Sequence, residues 1–530
     1  MSLRPVLPLF VLLASACGSN SPSTPTCPAH CPTGQVCGIT GTCVPLNSSG
    51  GSAALTCSQA DKPVGASSFL PLMTPSATTV LSATSVILQQ TYTVGQQVTF
   101  TVPQNTASLT IVEQATQAPD GVSFSFGGSR LDTDNVAVPH KVQSPGGSIQ
   151  FNDLDDGSSL PPPGSGPDYY ANRSVFFFSD SPATGTLTIP NTSQGLTVAN
   201  GGTGLPAGSW SMVVSDLAWE CQTGVLGTGV NCLAGAADST YEVTVIAKPL
   251  GASSHVPSSG QLDVVVYFAT ATAGGSPLTA ATADADADLT RMKQTLTGLF
   301  AKAGITSVNV AFKDLPADVQ NLYATGVHVD QSGACAELPQ LLKNAAPGNT
   351  FNAFLVSDFI ESGSTSTNTP TIVGIDGTIP GPASIGGTVA SGAAVSAASL
   401  RHNSGTSFCQ GSPNYQGCGA DETAYIMAHE AGHFLGLYHV TEEYGAEFDP
   451  LLDTPTCVCK DCSSTPSTCA DPELGTPPLS ADKVRVSECL GVKPGCGGGD
   501  NLMFWLLGTG SQGVLTAEQG QVMRANPLIH

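Results

Sequence analysis

Short runs of apolar residues dominate the first half of the chain beyond about residue 60. They are rich in β-branched and aromatic residues, and clusters of Gly, Pro, Asn and Asp separate them. The clearest runs cover residues 97–102, 108–112, 174–178, 185–189, 205–214 and 241–246. The pattern predicts an all-β, sandwich-like domain over residues 58–249.

The hydrophobic pattern changes after a linker at residues 250–261. A continuous apolar run at 262–268 predicts a buried strand, and 308–312 and 351–360 predict two more. Between the first two runs, apolar residues recur at helical spacing at Leu289, Met292, Leu296 and Phe300. The Gly/Ala/Ser-rich stretch 374–399 is expected at the sheet edge. We therefore predict an α/β domain with a mixed sheet over residues 250–530.

A second helical pattern contains histidines. Ala424, Met427, Ala428, Ala431 and Leu435 form an apolar stripe, and the same segment reads H-E-x-x-H-x-x-G-x-x-H from His429 to His439. His429 and His433 are four residues apart and share one helix face, so both imidazoles can reach one metal ion. Gly436 allows a sharp turn, after which His439 returns as the third ligand.

This ligand set predicts a catalytic zinc site. Three protein ligands leave one position of a tetrahedral Zn²⁺ open, whereas structural sites are closed by four. Glu430 follows the first ligand and is expected beside the metal, where it can accept a proton from an attacking water. The alternative is a buried helix whose histidines are ordinary core residues.

The extended motif resembles that of the metzincin metalloproteases, and within them the pappalysin-like group. The segment 500–505 around Met503 is a candidate for the methionine-containing turn of these enzymes. Three further stretches carry the resemblance: residues 437–439, residues 449–455, which read D-P-L-L-D-T-P, and the tail 515–524. The resemblance implies an endopeptidase with Met503 in a turn near the zinc. It also implies a sheet edge that binds the substrate backbone. It suggests that Asp449 and Asp453 order their loop, either around Ca²⁺ or as loop caps.

The chain departs from the family pattern at Val522, where the tail pattern has Arg, and at one position that matters for the chemistry. Where the family has a tyrosine two residues after the methionine, this chain has Trp505. An indole N–H donates one hydrogen bond but does not titrate like a phenol. The departure leaves the zinc site intact and puts the catalytic rate in question.

The N-terminus predicts export. Arg4 precedes an apolar stretch at residues 6–13 that is too short to span a bilayer. The sequence A-S-A-C ending at Cys17 fits either a lipobox, with Cys17 lipidated, or ordinary signal cleavage. Residues 1–17 are thus a signal segment. The protein is expected to be a bacterial envelope lipoprotein anchored through Cys17, or alternatively to be secreted.

Cysteine content agrees with an oxidising compartment. The chain has 17 cysteines, so that lipidation of Cys17 leaves an even number for pairing. Residues 18–57 combine a Ser/Pro tether with a cysteine-rich, EGF-like module that contains Cys27, Cys31, Cys37 and Cys43. Local pairs are expected between Cys221 and Cys232 and between Cys409 and Cys418. Disulfides are also expected in the cluster of six cysteines at 457–496.

Net charge and the motifs leave two classes of function. The formal charge of −23, with only 17 Lys and Arg, argues against nucleic acid as a partner. The first hypothesis is a zinc metalloendopeptidase acting on a protein or peptide substrate. The alternative is a catalytically weak or inactive lipoprotein of the same fold that acts in binding or adhesion. A third possibility is that the β domain restrains the enzyme as a pro-segment, with Cys57 as the candidate blocking ligand.

Overall fold

The computed structural model describes residues 35–37, 43–45 and 85–530. The last range has gaps at 117–121, 127–128, 134, 138, 152–183, 225–229, 235–238, 252–254, 330–335, 346–347, 361–371, 444, 446–448 and 470–482. Cys17, Cys27, Cys31 and Cys57 and the predicted strand at 174–178 lie outside these residues. Near the N-terminus, β1 (Gln35–Cys37) pairs antiparallel with β2 (Cys43–Pro45).

Two four-stranded antiparallel sheets make up most of the next region, in the strand orders β10-β5-β13-β3 and β4-β11-β8-β9. A third sheet has the order β12-β6-β7. Leu109 and Val245 from the first sheet and Phe100 and Trp210 from the second share one buried apolar core, which agrees with the predicted sandwich. The strands are β3 (Ser85–Thr93), β4 (Gln97–Val102), β5 (Thr106–Ala115), β6 (Val122–Phe126), β7 (Ser129–Thr133), β8 (His140–Gln143), β9 (Ile149–Phe151), β10 (Thr184–Ile189), β11 (Gly208–Val213), β12 (Val230–Ala234) and β13 (Thr240–Pro249).

This region also contains helices, so the prediction of an all-β domain was wrong in that respect. They are α1 (Ser193–Ala199) and α2 (Leu217–Thr223). Thr192 caps α1 and Asp216 caps α2 through side-chain oxygens that accept backbone N–H groups. Both helices have seven residues, about two turns, which is too short for helical periodicity to stand out from the strand pattern.

A five-stranded mixed sheet forms the second region, in the order β17-β14-β19-β22-β21. The first four strands in this order are parallel, and β21 pairs antiparallel with β22 at one edge. The predicted edge is confirmed for residues 374–376, whereas 393–396 lie inside the sheet. The strands are β14 (Gly260–Phe268), β15 (Thr272–Ala273), β16 (Ser276–Pro277), β17 (Ile305–Asp314), β18 (Val327–His328), β19 (Phe351–Val356), β20 (Phe359–Ile360), β21 (Gly374–Asp376) and β22 (Ala393–Ser396).

Helices cover this sheet, and two of them, α4 and α7, pack against each other through one continuous apolar core. The helices are α3 (Ala280–Ala283), α4 (Ala287–Lys302), α5 (Ala317–Leu322), α6 (Glu337–Leu342), α7 (Gly419–Phe434), α8 (Cys459–Cys462) and α9 (Ala517–Ala525). Within the ranges given above, no helix is both long and apolar enough to cross a bilayer. The chain is thus a mixed α/β, multidomain protein with several sheets.

Five disulfides join described cysteines. The local pairs Cys221–Cys232 and Cys409–Cys418 form as predicted. The six clustered cysteines pair as Cys457–Cys489, Cys459–Cys469 and Cys462–Cys496. These three bonds cross-link the segment 457–496, which we call the stapled insertion. Disulfide pairing, rather than metal binding, therefore accounts for this cluster.

Candidate metal centre

Helix α7 is held in place by a buried carboxylate. Asp421 accepts hydrogen bonds from the Arg291 guanidinium, at 2.8 Å from Nε and 2.9 Å from Nη2, and from the Thr295 hydroxyl. Both partners lie on α4, so the paired charges lock the two helices together. The first turn of α7 also carries Glu422, and the two carboxylates suit the positive end of the helix dipole.

The chain turns sharply just beyond α7. The helix ends at Phe434, and Gly436 has φ +105°, a conformation that side chains rarely adopt. The backbone N–H of Leu437 then donates to the Gly432 carbonyl oxygen at 2.9 Å. This turn sends the chain back along the helix, which brings His439 beside the two helical histidines.

The three histidines converge on one point. Their Nε2 atoms lie 3.2 Å apart between His429 and His433, and 3.1 Å from each of these to His439. Nitrogens that bind one tetrahedral ion at about 2.0–2.1 Å have this spacing. In the described part of the chain, this is the only group of three or more His, Cys, Asp or Glu residues placed to hold a metal ion.

Each imidazole is oriented by a hydrogen bond at its second nitrogen, Nδ1. His429 Nδ1 lies 2.7 Å from the Leu502 carbonyl oxygen, and His433 Nδ1 lies 2.8 Å from that of Leu437. Because a carbonyl only accepts, both Nδ1 atoms carry the proton and both Nε2 atoms present lone pairs. His439 Nδ1 lies 3.0 Å from Glu442 Oε2, a carboxylate–histidine pair of the kind that orients metal ligands.

Burial sets the protonation of these rings. It lowers the pKa of His429 to about 3 and that of His433 well below its usual value. Burial also acts to lower the His439 pKa, but the Glu442 carboxylate outweighs it and the net change is upward. Converging lone pairs repel unless a cation lies between them, so this donor set fits a metal ion.

Glu430 lies between the histidines and the edge of the sheet. It is 6% exposed, and burial raises its pKa to about 8, although His439 and the backbone N–H of Asp376 act in the opposite direction. Its carboxylate packs on Gly374 in the edge strand β21, where a methyl group would come within 2.4 Å of Glu430 Oε1. Glu430 is not a member of the histidine group, which agrees with its expected place beside the metal rather than on it.

Met503 is buried in the turn 501–505, which we call the methionine turn. A methyl group on Gly432 of α7 would lie 2.5 Å from Met503 Sδ, so the thioether packs directly on the helix between two of the histidines. The Met503 carbonyl oxygen accepts the Val440 N–H at 3.0 Å. The methionine turn therefore contacts both the helix and the segment that carries His439.

Asp449 and Asp453 each bind backbone. Asp449 Oδ1 accepts the Leu451 N–H at 3.0 Å, and Asp453 Oδ2 accepts the Glu518 N–H at 2.9 Å at the start of α9. Among the described residues they join no group of three ligands. These contacts fit loop caps, the second of the two roles considered for this pair.

Trp505 is already engaged. Its Nε1–H donates to the Val484 carbonyl oxygen at 3.0 Å, inside the stapled insertion. The single indole donor therefore has a backbone partner away from the histidines, and the family tyrosine has no counterpart at this position.

Several functional groups were not identified from the sequence. The carbonyl oxygens of Leu502 and Leu437 have no side-chain signal at all. Glu442 follows the last histidine by three residues, and this spacing was the only available clue. Gly374 stood in a Gly-rich stretch, where nothing distinguished it from its neighbours. No protein-family model matches this chain, and no curated protein matches it either.

Proposed function

We propose that this protein is a zinc-dependent metalloendopeptidase. The observation that carries the proposal is the convergence of three Nε2 atoms 3.1–3.2 Å apart, with each Nδ1 hydrogen-bonded. A buried carboxylate, Glu430, lies next to this group. Core histidines placed only for packing have no reason to direct three ring nitrogens at one point.

The donor set favours zinc. Three imidazoles in tetrahedral geometry with one open position are the usual catalytic arrangement for Zn²⁺, which has no preference that would distort it. When bound, zinc would supply Lewis acidity at that open position. His429, His433 and His439 would hold it. Glu442 and the carbonyl oxygens of Leu437 and Leu502 would keep the three rings oriented.

Glu430 is the proposed general base. Its carboxylate accepts a proton from the attacking water and returns it to the leaving amine. Burial raises the pKa of Glu430, which makes the ionised carboxylate a stronger proton acceptor than a free glutamate, and a bound cation would favour that ionised form.

The edge strand β21 is the proposed docking site for the substrate. Among the described residues it pairs only with β22 in the sheet, so its other edge is the place where an extended peptide would add as a further strand. Gly374 in this strand touches Glu430, so a peptide paired with β21 would pass next to the base. The substrate class that this edge fits is an extended segment of protein.

Metzincin-like ancestry, in the pappalysin-like group, remains the proposal that best explains these features together. The zinc helix, the glycine turn, the third histidine and a methionine packed on the helix occur in the expected order. We further propose export, with a lipid anchor at Cys17 or else secretion. An inactive binding lipoprotein is the second candidate, and it is favoured by Trp505, whose donor is engaged elsewhere.

Zinc content and proteolysis of the purified protein, beside Glu430→Gln, test the proposal. Glu422→Gln is a matched control, because Glu422 lies on the same helix and bonds Ser399 rather than the site. We expect about one zinc per chain in all three proteins. Cleavage of an unfolded protein substrate should persist in Glu422→Gln and fall by at least about 100-fold in Glu430→Gln.

The other outcomes separate the alternatives. Zinc binding with no cleavage by the parent protein would favour the binding lipoprotein. Absence of zinc from the parent protein, with the metal supplied, would show that the histidine cluster is not a metal site.

A further inference from the structure

Two backbone segments hold the first and third histidines together. The methionine turn supplies the Leu502 carbonyl oxygen that accepts from His429, and its next residue, Met503, accepts from Val440, which follows His439. One step further along, Thr441 and Phe504 form a parallel β-bridge. The segment 439–443 and the methionine turn thus run side by side, and their spacing sets the distance between two ligands.

A third segment fastens these two. The Trp505 indole N–H donates to the Val484 carbonyl oxygen at 3.0 Å, and the Val484 N–H donates to the Glu443 carbonyl oxygen at 2.8 Å. Lys483 Nζ lies 2.7 Å from Glu443 Oε2 and 6.0 Å from the centre of the Trp505 ring. We call these four residues, Glu443, Lys483, Val484 and Trp505, the latch.

The latch is attached to a part of the chain that disulfides cross-link. Lys483 and Val484 belong to the stapled insertion, between the ends of the Cys457–Cys489 and Cys462–Cys496 disulfides. Val484 is fully buried, and the Glu443 side chain is only 4% exposed. A buried carboxylate paired with one lysine resists separation, because breaking the pair would leave an uncompensated charge.

We infer that Trp505 is a positioning residue, which clamps the His439 segment to the methionine turn through the stapled insertion and thereby slows release of the metal. It does not donate to the reacting carbonyl, since its only N–H is bonded to Val484. The inference rests on the proposed function in one respect: it takes the histidine cluster to be a metal site. It explains why this chain keeps a bulky donor where the resembled family has a tyrosine.

Trp505→Phe tests the latch, since it keeps an aromatic ring and removes the N–H. The matched control is Trp210→Phe, which removes the same kind of bond, an indole N–H donating to the Pro206 carbonyl oxygen at 2.7 Å, within the β-sandwich. Two quantities are measured in each protein: the rate of zinc release to an excess of a colorimetric chelator, and kcat and KM per bound zinc.

We expect Trp505→Phe to release zinc roughly three- to tenfold faster, the equivalent of one lost buried hydrogen bond. Its kcat per bound zinc should stay within about twofold of the parent, because the group does not touch the reacting atoms. Trp210→Phe should release zinc at the parental rate even if its melting temperature falls, which separates positioning from general stability.

Lys483→Met provides a second, independent break in the latch, and it decides the matter if Trp505→Phe does not fold. Zinc release at the parental rate in the folded variants would overturn the inference. A roughly 100-fold fall in kcat with unchanged zinc release would also overturn it, since that is the effect of removing a donor to the transition state. If the parent protein binds no zinc, the proposed function is wrong, and the inferred effect of Trp505 on metal release is wrong with it.

Discussion

The β-sandwich and the metal-binding region use buried polar groups in opposite ways. In the sandwich, Lys248 is 3% exposed. Its ammonium donates to the carbonyl oxygens of Arg524, Asn526 and Ile529 across the seam, the surface where the two regions meet. Every partner is an acceptor, so the hydrogen bonds of this ammonium are satisfied within the chain. In the metal-binding region, the lone pairs of three ring nitrogens point at one another, and only a cation between them would satisfy them.

The difference teaches which buried polar groups indicate function. Groups that are satisfied by the fold itself, as Lys248 is, report on stability. Groups that the fold holds in mutual repulsion report on a ligand. Both kinds are buried and hydrogen-bonded, so burial alone would not have separated them.

The seam between the two regions also bears on the idea that the β domain restrains the enzyme. Its hydrogen bonds run to α9, to the C-terminal tail and to residues 450–452, where Ser193 contacts Pro450 and Leu452. Ala107 and Leu196 of the β region lie within the apolar core of the metal-binding region. The two regions are thus joined both by hydrogen bonds and by a shared apolar core.

Breaking the seam should have the largest effect. Lys248→Met keeps the length of the side chain and leaves three carbonyl oxygens without their donor, so we expect a loss of about 2–4 kcal/mol in the free energy of unfolding. Denaturant unfolding measures it, with the exposed Lys141→Met as the control. An unchanged stability together with increased proteolysis would instead support a restraining pro-segment.

A change at the site should reduce turnover more than it reduces stability. In Gly374→Ala, the added methyl group would lie 2.4 Å from Glu430 Oε1 and must displace that carboxylate. We expect kcat to fall roughly 10- to 100-fold with zinc content retained, because small displacements of a catalytic group cost that much.

Gly298→Ala on α4 is the matched control, since nothing lies within 4 Å of the added methyl group. It should have parental activity and be slightly more stable, by about 0.5–1 kcal/mol. Equal kcat in the two alanine variants would show that Glu430 does not act from its position against β21.

The narrowest effect is expected in the loop between the two regions, because it concerns only the pH dependence of stability. Burial raises the pKa of Asp449 to about 8, so the folded protein binds more protons than the unfolded chain between about pH 4 and pH 8. Its contribution to stability is therefore present below pH 4 and is lost as the pH rises through 8. Asp449→Asn should flatten this part of the profile, by at most about 1.4 kcal/mol per pH unit.

Chemical denaturation at a series of pH values checks this prediction, with and without added Ca²⁺. A calcium ion would replace the proton, so a calcium-induced rise in stability near pH 8 that Asp449→Asn abolishes would restore the calcium interpretation. No response to calcium would leave Asp449 and Asp453 as loop caps.

The sequence by itself determined the metal-binding helix and most of the core elements. The spacing of His429 and His433 is a local property of an α-helix, and so is the apolar stripe that buries α7. The strands β14, β17 and β19 were predicted from the runs at 262–268, 308–312 and 351–360, although β17 is only partly buried. Helices α1 and α2 were missed because their side-chain pattern is too short to compete with the neighbouring strands.

Only the tertiary structure decided how the site is held. The Leu502 carbonyl oxygen lies 73 residues beyond His429, and a backbone atom carries no signature in the sequence. The same is true of Trp505, whose partner is the Val484 backbone, and of Gly374, which matters only because Glu430 packs on it. Local spacing follows from helix geometry, whereas long-range contacts depend on how separate segments pack, and that information is spread over the whole chain.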